Sequence, residues 1–211
     1  MSKGIRIALA NLKGGCGKST LALNLAAGLA RRGSVRLLDA DPQGALRHWS
    51  SWADVNEQMP VTVQAADNPG QLASASNECD FVIVDCPPSL DIDITLKFLR
   101  NVDHVVVPVL PSPLDLWASN MAAEAIEKVR KENPGLRPWV VLNQLEERSA
   151  FSRAMQDVLG QFNLPVLQTR VRRRAIYRLA MLEGKSVYQL GGRGLPAVAE
   201  IEAILNEVLQ A

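Results

Sequence analysis

Lys13-Gly14-Gly15-Cys16-Gly17-Lys18-Ser19-Thr20 stands directly between an apolar run, Ile5 to Ala10, and an alanine- and leucine-rich stretch. No other feature constrains the fold as strongly. Glycines let the backbone curl without side chains in the way, so successive N–H groups and the N-terminus of the following helix converge on a polyanion. Lys18 is placed to reach the β- and γ-phosphates of a nucleotide, and Ser19 to offer a hydroxyl to Mg²⁺. Gly14, Gly15, Cys16, Gly17 and Thr20 complete the nucleotide-binding loop. The strict pattern has glycine at position 12; this chain has Leu12, followed by a second lysine, Lys13.

Short β-branched runs recur along the 211 residues: Ile5 to Ala10, Val35 to Asp39, Val61 to Gln64, Phe81 to Asp85, His104 to Val109, Trp139 to Asn143 and Pro165 to Leu167. They lack clean alternation and so read as buried strands. Helical patterns fill the gaps at 18–31, 44–54, 90–100, 114–132, 149–161, 172–183 and 196–210. Strand and helix thus alternate, which predicts one α/β domain over 1–211: a P-loop NTPase with a mainly parallel twisted sheet and helices on both faces. Ligands of such sheets sit at the carboxyl ends of the strands, so the loops after Ala10, Asp39, Asp85, Val109 and Asn143 are expected to form one site.

Three residues at those strand ends suit nucleotide chemistry. Asp85 closes the run Phe81-Val82-Ile83-Val84, the Walker B pattern in which a carboxylate holds Mg²⁺, usually through a retained water. Asp41, in Asp39-Ala40-Asp41-Pro42-Gln43, is the candidate acceptor that aligns an attacking water beside the γ-phosphate. Asp39 is placed nearer the metal shell, with closure of the strand as the alternative. Asn143 carries a donor and an acceptor in one planar amide, as the edge of adenine requires.

Composition narrows the classes further. With 47% apolar residues the chain can bury a sizeable core, and a net charge of +1 exerts no global pull on nucleic acid or acidic membranes. Cys16, Cys79 and Cys86 form no C-x-x-C pair, and their odd number points to a reducing cytoplasm. No apolar run approaches the roughly 18 residues that span a bilayer. His48 and His104 are solitary and read as structural. Trp49 and Trp52 share one helical face and read as core packing.

Taken together, Lys13 to Thr20, Asp39 to Gln43, Val84-Asp85-Cys86-Pro87-Pro88, Val107 to Asp115 and Gly184 to Tyr188 resemble the ParA/MinD family of deviant-Walker ATPases over nearly the whole chain. The short plasmid-partition proteins of the ParF type are the most similar subgroup. The resemblance implies ATP and Mg²⁺ as cofactors and a homodimer formed around ATP, in which Lys13 reaches across to the partner's nucleotide. A cation delivered in trans neutralises charge developing on the triphosphate and ties hydrolysis to dimerisation. With the phosphate loop so near Met1, a helix-turn-helix extension is not expected. After Arg193 there is no lysine or arginine, so the basic amphipathic helix of membrane-bound relatives is not expected either.

Arg170, Arg172, Arg173, Arg174, Arg178 and Lys185 face a single acid, Glu183, within residues 165–185. Such clustering suits a phosphate backbone, with Arg174, Arg178 and Lys185 as the DNA-binding candidates and Arg172 and Arg173 nearer the nucleotide. Nothing suggests base readout. The expected function is therefore that of an ATPase that coats nucleoid DNA non-specifically and is released when a ParB-like or cargo-adaptor partner stimulates hydrolysis. Plasmid or chromosome partition is the first expectation, and positioning of carboxysomes or chemoreceptor clusters the alternative. A nucleotide-gated scaffold with negligible turnover and an amidotransferase-linked synthetase are the readings from other classes.

Overall fold

The computed structural model describes residues 3–53, 61–88, 93–146 and 164–210. In chain order these form β1 (Ile5–Leu9), α1 (Lys18–Leu29), β2 (Val35–Asp39), α2 (Ala45–Trp52), β3 (Thr62–Ala65), α3 (Pro69–Glu78), β4 (Phe81–Asp85), α4 (Asp93–Leu99), β5 (His104–Val109) and α5 (Pro113–Glu132). β6 (Arg137–Leu145), β7 (Val166–Arg172), α6 (Ala175–Leu182), a 3₁₀ segment (Val187–Arg193) and α7 (Leu195–Leu209) follow. The helix expected at 149–161 lies outside the described residues, as does the side chain of Trp52.

All six strand pairings are parallel, in the order β3-β2-β4-β1-β5-β6-β7. Side chains alternate across each strand, so β1 sends Ile7 and Leu9 to one face and Ala8 to the other. The first face packs against α1, α2, α6 and α7 through Leu23, Trp49, Tyr177 and Ile201; the second packs against α3, α4 and α5 through Leu72, Phe98 and Ile126. Burial on both faces explains why the strands read as continuous apolar runs. α1 is nearly enclosed, with Leu21, Leu23, Leu25 and Leu29 all at most 1% exposed, so its sequence shows no polar stripe.

Register brings the carboxylates together. Leu9 and Asp39 both pair with Asp85, so the ends of β1, β2 and β4 lie side by side where the phosphate loop departs. β1 is flanked by β4 and β5, and the chain moves outward in opposite directions on its two sides, the switch point at which ligands bind such sheets.

β6 exceeds its expected run at both ends and the 3₁₀ segment has no expected counterpart, but α3 and β7 differ most from expectation. α3 has few apolar residues, and its start is set by a capping box: the Asn68 side chain accepts from Gly70 N at 2.9 Å while Gln71 accepts from the backbone of Asn68, with Pro69 in the first turn. β7 runs on to Arg172, so the helix expected over 172–183 begins only at Ala175.

Candidate nucleotide-binding site

The phosphate loop is held from several sides. Asn11 donates to Pro108 O at 2.6 Å, the Cys16 thiol to Lys13 O at 3.3 Å, and the Lys18 ammonium to the same carbonyl at 3.2 Å. Gly17, at φ 94°, adopts a left-handed conformation open mainly to glycine, and a Cβ there would run into the Asn143 amide. α1 starts immediately after it with no side-chain cap, leaving its first N–H groups directed at the loop.

Asp85 is 1% exposed, and its Oδ1 has no hydrogen-bond partner among the described residues. Burial raises its carboxyl to about 7; Asp39 and Asp41 push the same way, while a hydrogen bond from Ser19 and the Lys18 charge oppose them. A buried carboxylate oxygen without a donor, beside a serine hydroxyl and other acids, is an arrangement that a divalent cation completes. Asp39 is also buried, but its two oxygens accept from Asp41 N (3.2 Å) and Arg47 N (3.0 Å), tying the Asp41 loop to α2. This geometry favours the strand-closing alternative for Asp39 over the metal shell. Asp41 accepts from Gln43 N at 2.9 Å, which fixes the turn that presents it.

A cavity of about 490 Å³ opens beside the loop, between α1, the end of β6, β7 and α6. Thr20, Leu21, Asn143, Val171, Tyr177 and Met181 contribute to a largely apolar lining of a size that suits a nucleoside. Asn143 lines this cavity, but its amide nitrogen donates to Cys16 O at 2.7 Å, bracing the loop, while its oxygen accepts from Gln144 N of its own strand at 3.0 Å. Sequence reading missed Gln144, which also lines the cavity and holds φ 56° without being glycine.

The basic run is divided by the fold. Arg172, Arg173, Arg174 and Arg178 line the same cavity, and distant glutamates pair with several of them. Arg174 makes two bonds to Glu200 Oε1, at 2.8 and 3.0 Å, and Arg173 lies 2.5 Å from Glu146. Lys185 lies 3.5 Å from Glu183. Arg174, expected to face DNA, is instead half-buried against α7, whereas Arg178 is exposed. The cysteines are unremarkable: burial raises the thiols of Cys16 and Cys86, keeping them protonated. Trp49 is buried and donates to Met181 O at 2.8 Å, as expected of a core residue. No described helix is long and apolar enough to cross a membrane.

Fold and site together define a nucleotide-binding protein of the phosphate-loop α/β class. The model of the CobQ/CobB/MinD/ParA nucleotide binding domain matches residues 7–187, and the chain belongs to this family of P-loop ATPases. It is 54% identical over 211 residues to the maintenance of carboxysome distribution protein A of Halothiobacillus neapolitanus, covering 99% of this chain and 98% of that protein. It is 32% identical over 218 residues to the chromosome-partitioning ATPase Soj of Thermus thermophilus, covering 87% of each. Among solved structures, the ATP complex of a Cyanothece McdA variant superposes with a TM-score of 0.76 at 18% identity, covering 100% of this chain and 98% of that one, a likeness of fold.

Proposed function

We propose that this protein is an ATP-driven positioner of carboxysomes, which dimerises around Mg-ATP, binds nucleoid DNA without sequence preference and is released by partner-stimulated hydrolysis. One observation carries the reading: identity of 54% across nearly the full length of a carboxysome distribution protein. That relative moves the reading from plasmid or chromosome partition, the first expectation, to its alternative.

The site supports the chemistry step by step. Loop N–H groups and Lys18 would cradle the triphosphate, and the cavity beside Asn143 would take the nucleoside. Ser19 and the unpartnered oxygen of Asp85 would hold Mg²⁺, which when bound neutralises phosphate charge. Asp41, its turn held by Asp39, would align the attacking water. Lys13 would stabilise the partner subunit's γ-phosphate in trans, so that hydrolysis waits for dimerisation. Arg178 is the proposed DNA contact, with Lys185, half-buried beside Glu183, secondary to it, and Arg174 is reassigned to holding α6 against α7. A nucleoid-associated, cytoplasmic location and a ParB-like or cargo-adaptor partner belong to the same reading.

The decisive experiment is deletion of the gene in its host with a fluorescent carboxysome shell protein as reporter. Carboxysomes should cluster, and wild type supplied in trans should respace them while Asp41→Ala should not. Unchanged spacing in the deletion strain would reject the assignment.

A further inference from the structure

Lys13 is engaged within its own subunit. Its ammonium lies 2.8 Å from Asp115 Oδ1, and the lysine side chain is 42% exposed against 5% for the aspartate. Asp115 sits in the first turn of α5, where its N–H donates to the Ser112 hydroxyl at 3.2 Å and its second carboxylate oxygen accepts from that same hydroxyl. One ammonium cannot serve this carboxylate and a triphosphate in another subunit at once. The two demands compete.

We propose that Asp115 is a positioning residue for Lys13: it docks the lysine in cis and sets how strongly an ATP-loaded partner must pull to recruit it in trans. The inference rests on the trans-lysine reading above and adds the group that opposes it. The asymmetry of the pair suits a reversible dock. The half-exposed lysine leaves by moving only its flexible stem, while the buried carboxylate stays where it is. On departure Asp115 keeps the Ser112 hydroxyl and the favourable end of the α5 dipole, so it is not left as an uncompensated charge. A pair with one half-exposed partner contributes modestly, which is what an exchangeable dock requires.

Sedimentation velocity over a protein concentration series, with Mg²⁺ and a non-hydrolysable ATP analogue, tests this without relying on Asp41. Asp115→Asn keeps an acceptor for Ser112 and removes the charge. It should lower the concentration at half-dimerisation by about 5-fold, the scale of one partly exposed ion pair. In a Lys13→Ala background the same substitution should leave the midpoint where Lys13→Ala alone puts it. Ser112→Ala, which leaves the carboxylate leaning harder on Lys13, should raise the midpoint. An unchanged or raised midpoint for Asp115→Asn, a shift that persists without Lys13, or a lowered midpoint for Ser112→Ala would each overturn the proposal while the dimer reading stands. A wild type that stays monomeric throughout the series would overturn the dimer reading and this inference together.

Discussion

Asn143, near the end of β6, places its amide nitrogen 2.7 Å from the carbonyl oxygen of Cys16, so the sheet holds the phosphate loop from behind. The bond is buried, and losing it leaves a loop carbonyl without its donor. Such a loss costs about 1–3 kcal/mol. Asn143→Ala should therefore weaken ATP binding about 10-fold, since 1.4 kcal/mol is a factor of ten. Asn143→Asp should do worse, because it offers no donor and sets a negative charge beside an anion site. Titration calorimetry with ATP is the measurement; wild-type affinity in both variants would rule out the brace.

Asp39 and Asp85 are paired in register, yet their surroundings divide the work between them. Asp85→Asn should abolish most of the gain that Mg²⁺ gives to ATP binding, roughly 10- to 100-fold, the range seen when a group supporting a metal is changed. Asp39→Asn should keep that gain and lose about 1–3 kcal/mol of stability, through weaker acceptance from Asp41 N and Arg47 N. Affinity with and without Mg²⁺, set beside melting temperature, separates the two. Equal loss of the Mg²⁺ gain in both variants would restore Asp39 to the metal shell.

What is legible in the sequence follows from where the information lies. β2, β4 and β5 coincide with their expected runs because a strand buried on both faces is written as a local string of apolar residues. The phosphate loop is equally local. α3 escapes a search for apolar periods because its identity lies in Asn68, Pro69 and Gln71. β7 exceeds its expected length because, at the sheet edge, it carries exposed Gln168 and Arg172 where an interior strand would carry apolar residues. The pairs Lys13–Asp115, Asn143–Cys16 and Arg174–Glu200 are not legible at all. Each joins elements that only the fold brings together, and nothing local at either residue names the other.

At the start of β5, two neighbouring groups make stability depend on pH in the same sense. Burial, aided by the Arg137 charge and opposed by Asp103, holds His104 below its ordinary 6.5, and its Nδ1 accepts from Trp139 Nε1 at 3.3 Å. Burial alone would raise Asp103, but the hydrogen bonds and charge of Arg6 outweigh it and hold the carboxyl below 3.8. In both cases the unfolded chain takes up the proton first. Stability is then fully present above the unfolded value and is lost as pH falls through the folded one. The His104 contribution should begin to fall below about pH 6.5 and that of Asp103 below about pH 4, while the raised Asp85 carboxyl acts in the opposite sense, adding stability as pH falls from about 7 toward 3.8. His104→Gln should flatten the first step, and Asp103→Asn the second while lowering stability at neutral pH. Melting curves from pH 8 to pH 3 check both signs, and a first step that survives in His104→Gln would point to another group.

Glu200 joins three elements, accepting from Arg174 of the β7–α6 turn at 2.8 Å, from Tyr177 of α6 at 3.2 Å and from the Arg172 backbone at 3.4 Å. An arginine so placed contributes to stability before it contributes to surface charge, whereas the exposed Arg178 has the opposite balance. Arg174→Ala should lower stability by about 1–3 kcal/mol, as loss of charge-assisted bonds does. At 211 residues each kcal/mol corresponds to a fall of about 2–4 °C in melting temperature. Arg178→Glu should leave melting near wild type and, measured at saturating ATP because Arg178 also lines the nucleoside cavity, weaken DNA binding, reducing the salt slope by about one unit for each phosphate no longer neutralised. Glu200→Ala should destabilise the chain and, by removing a negative charge from beside Arg172 and Arg174, strengthen DNA binding at low salt. Fluorescence anisotropy with a random-sequence duplex across a salt series distinguishes these outcomes. Arg178→Glu binding DNA as wild type does at low salt would move the DNA face away from α6.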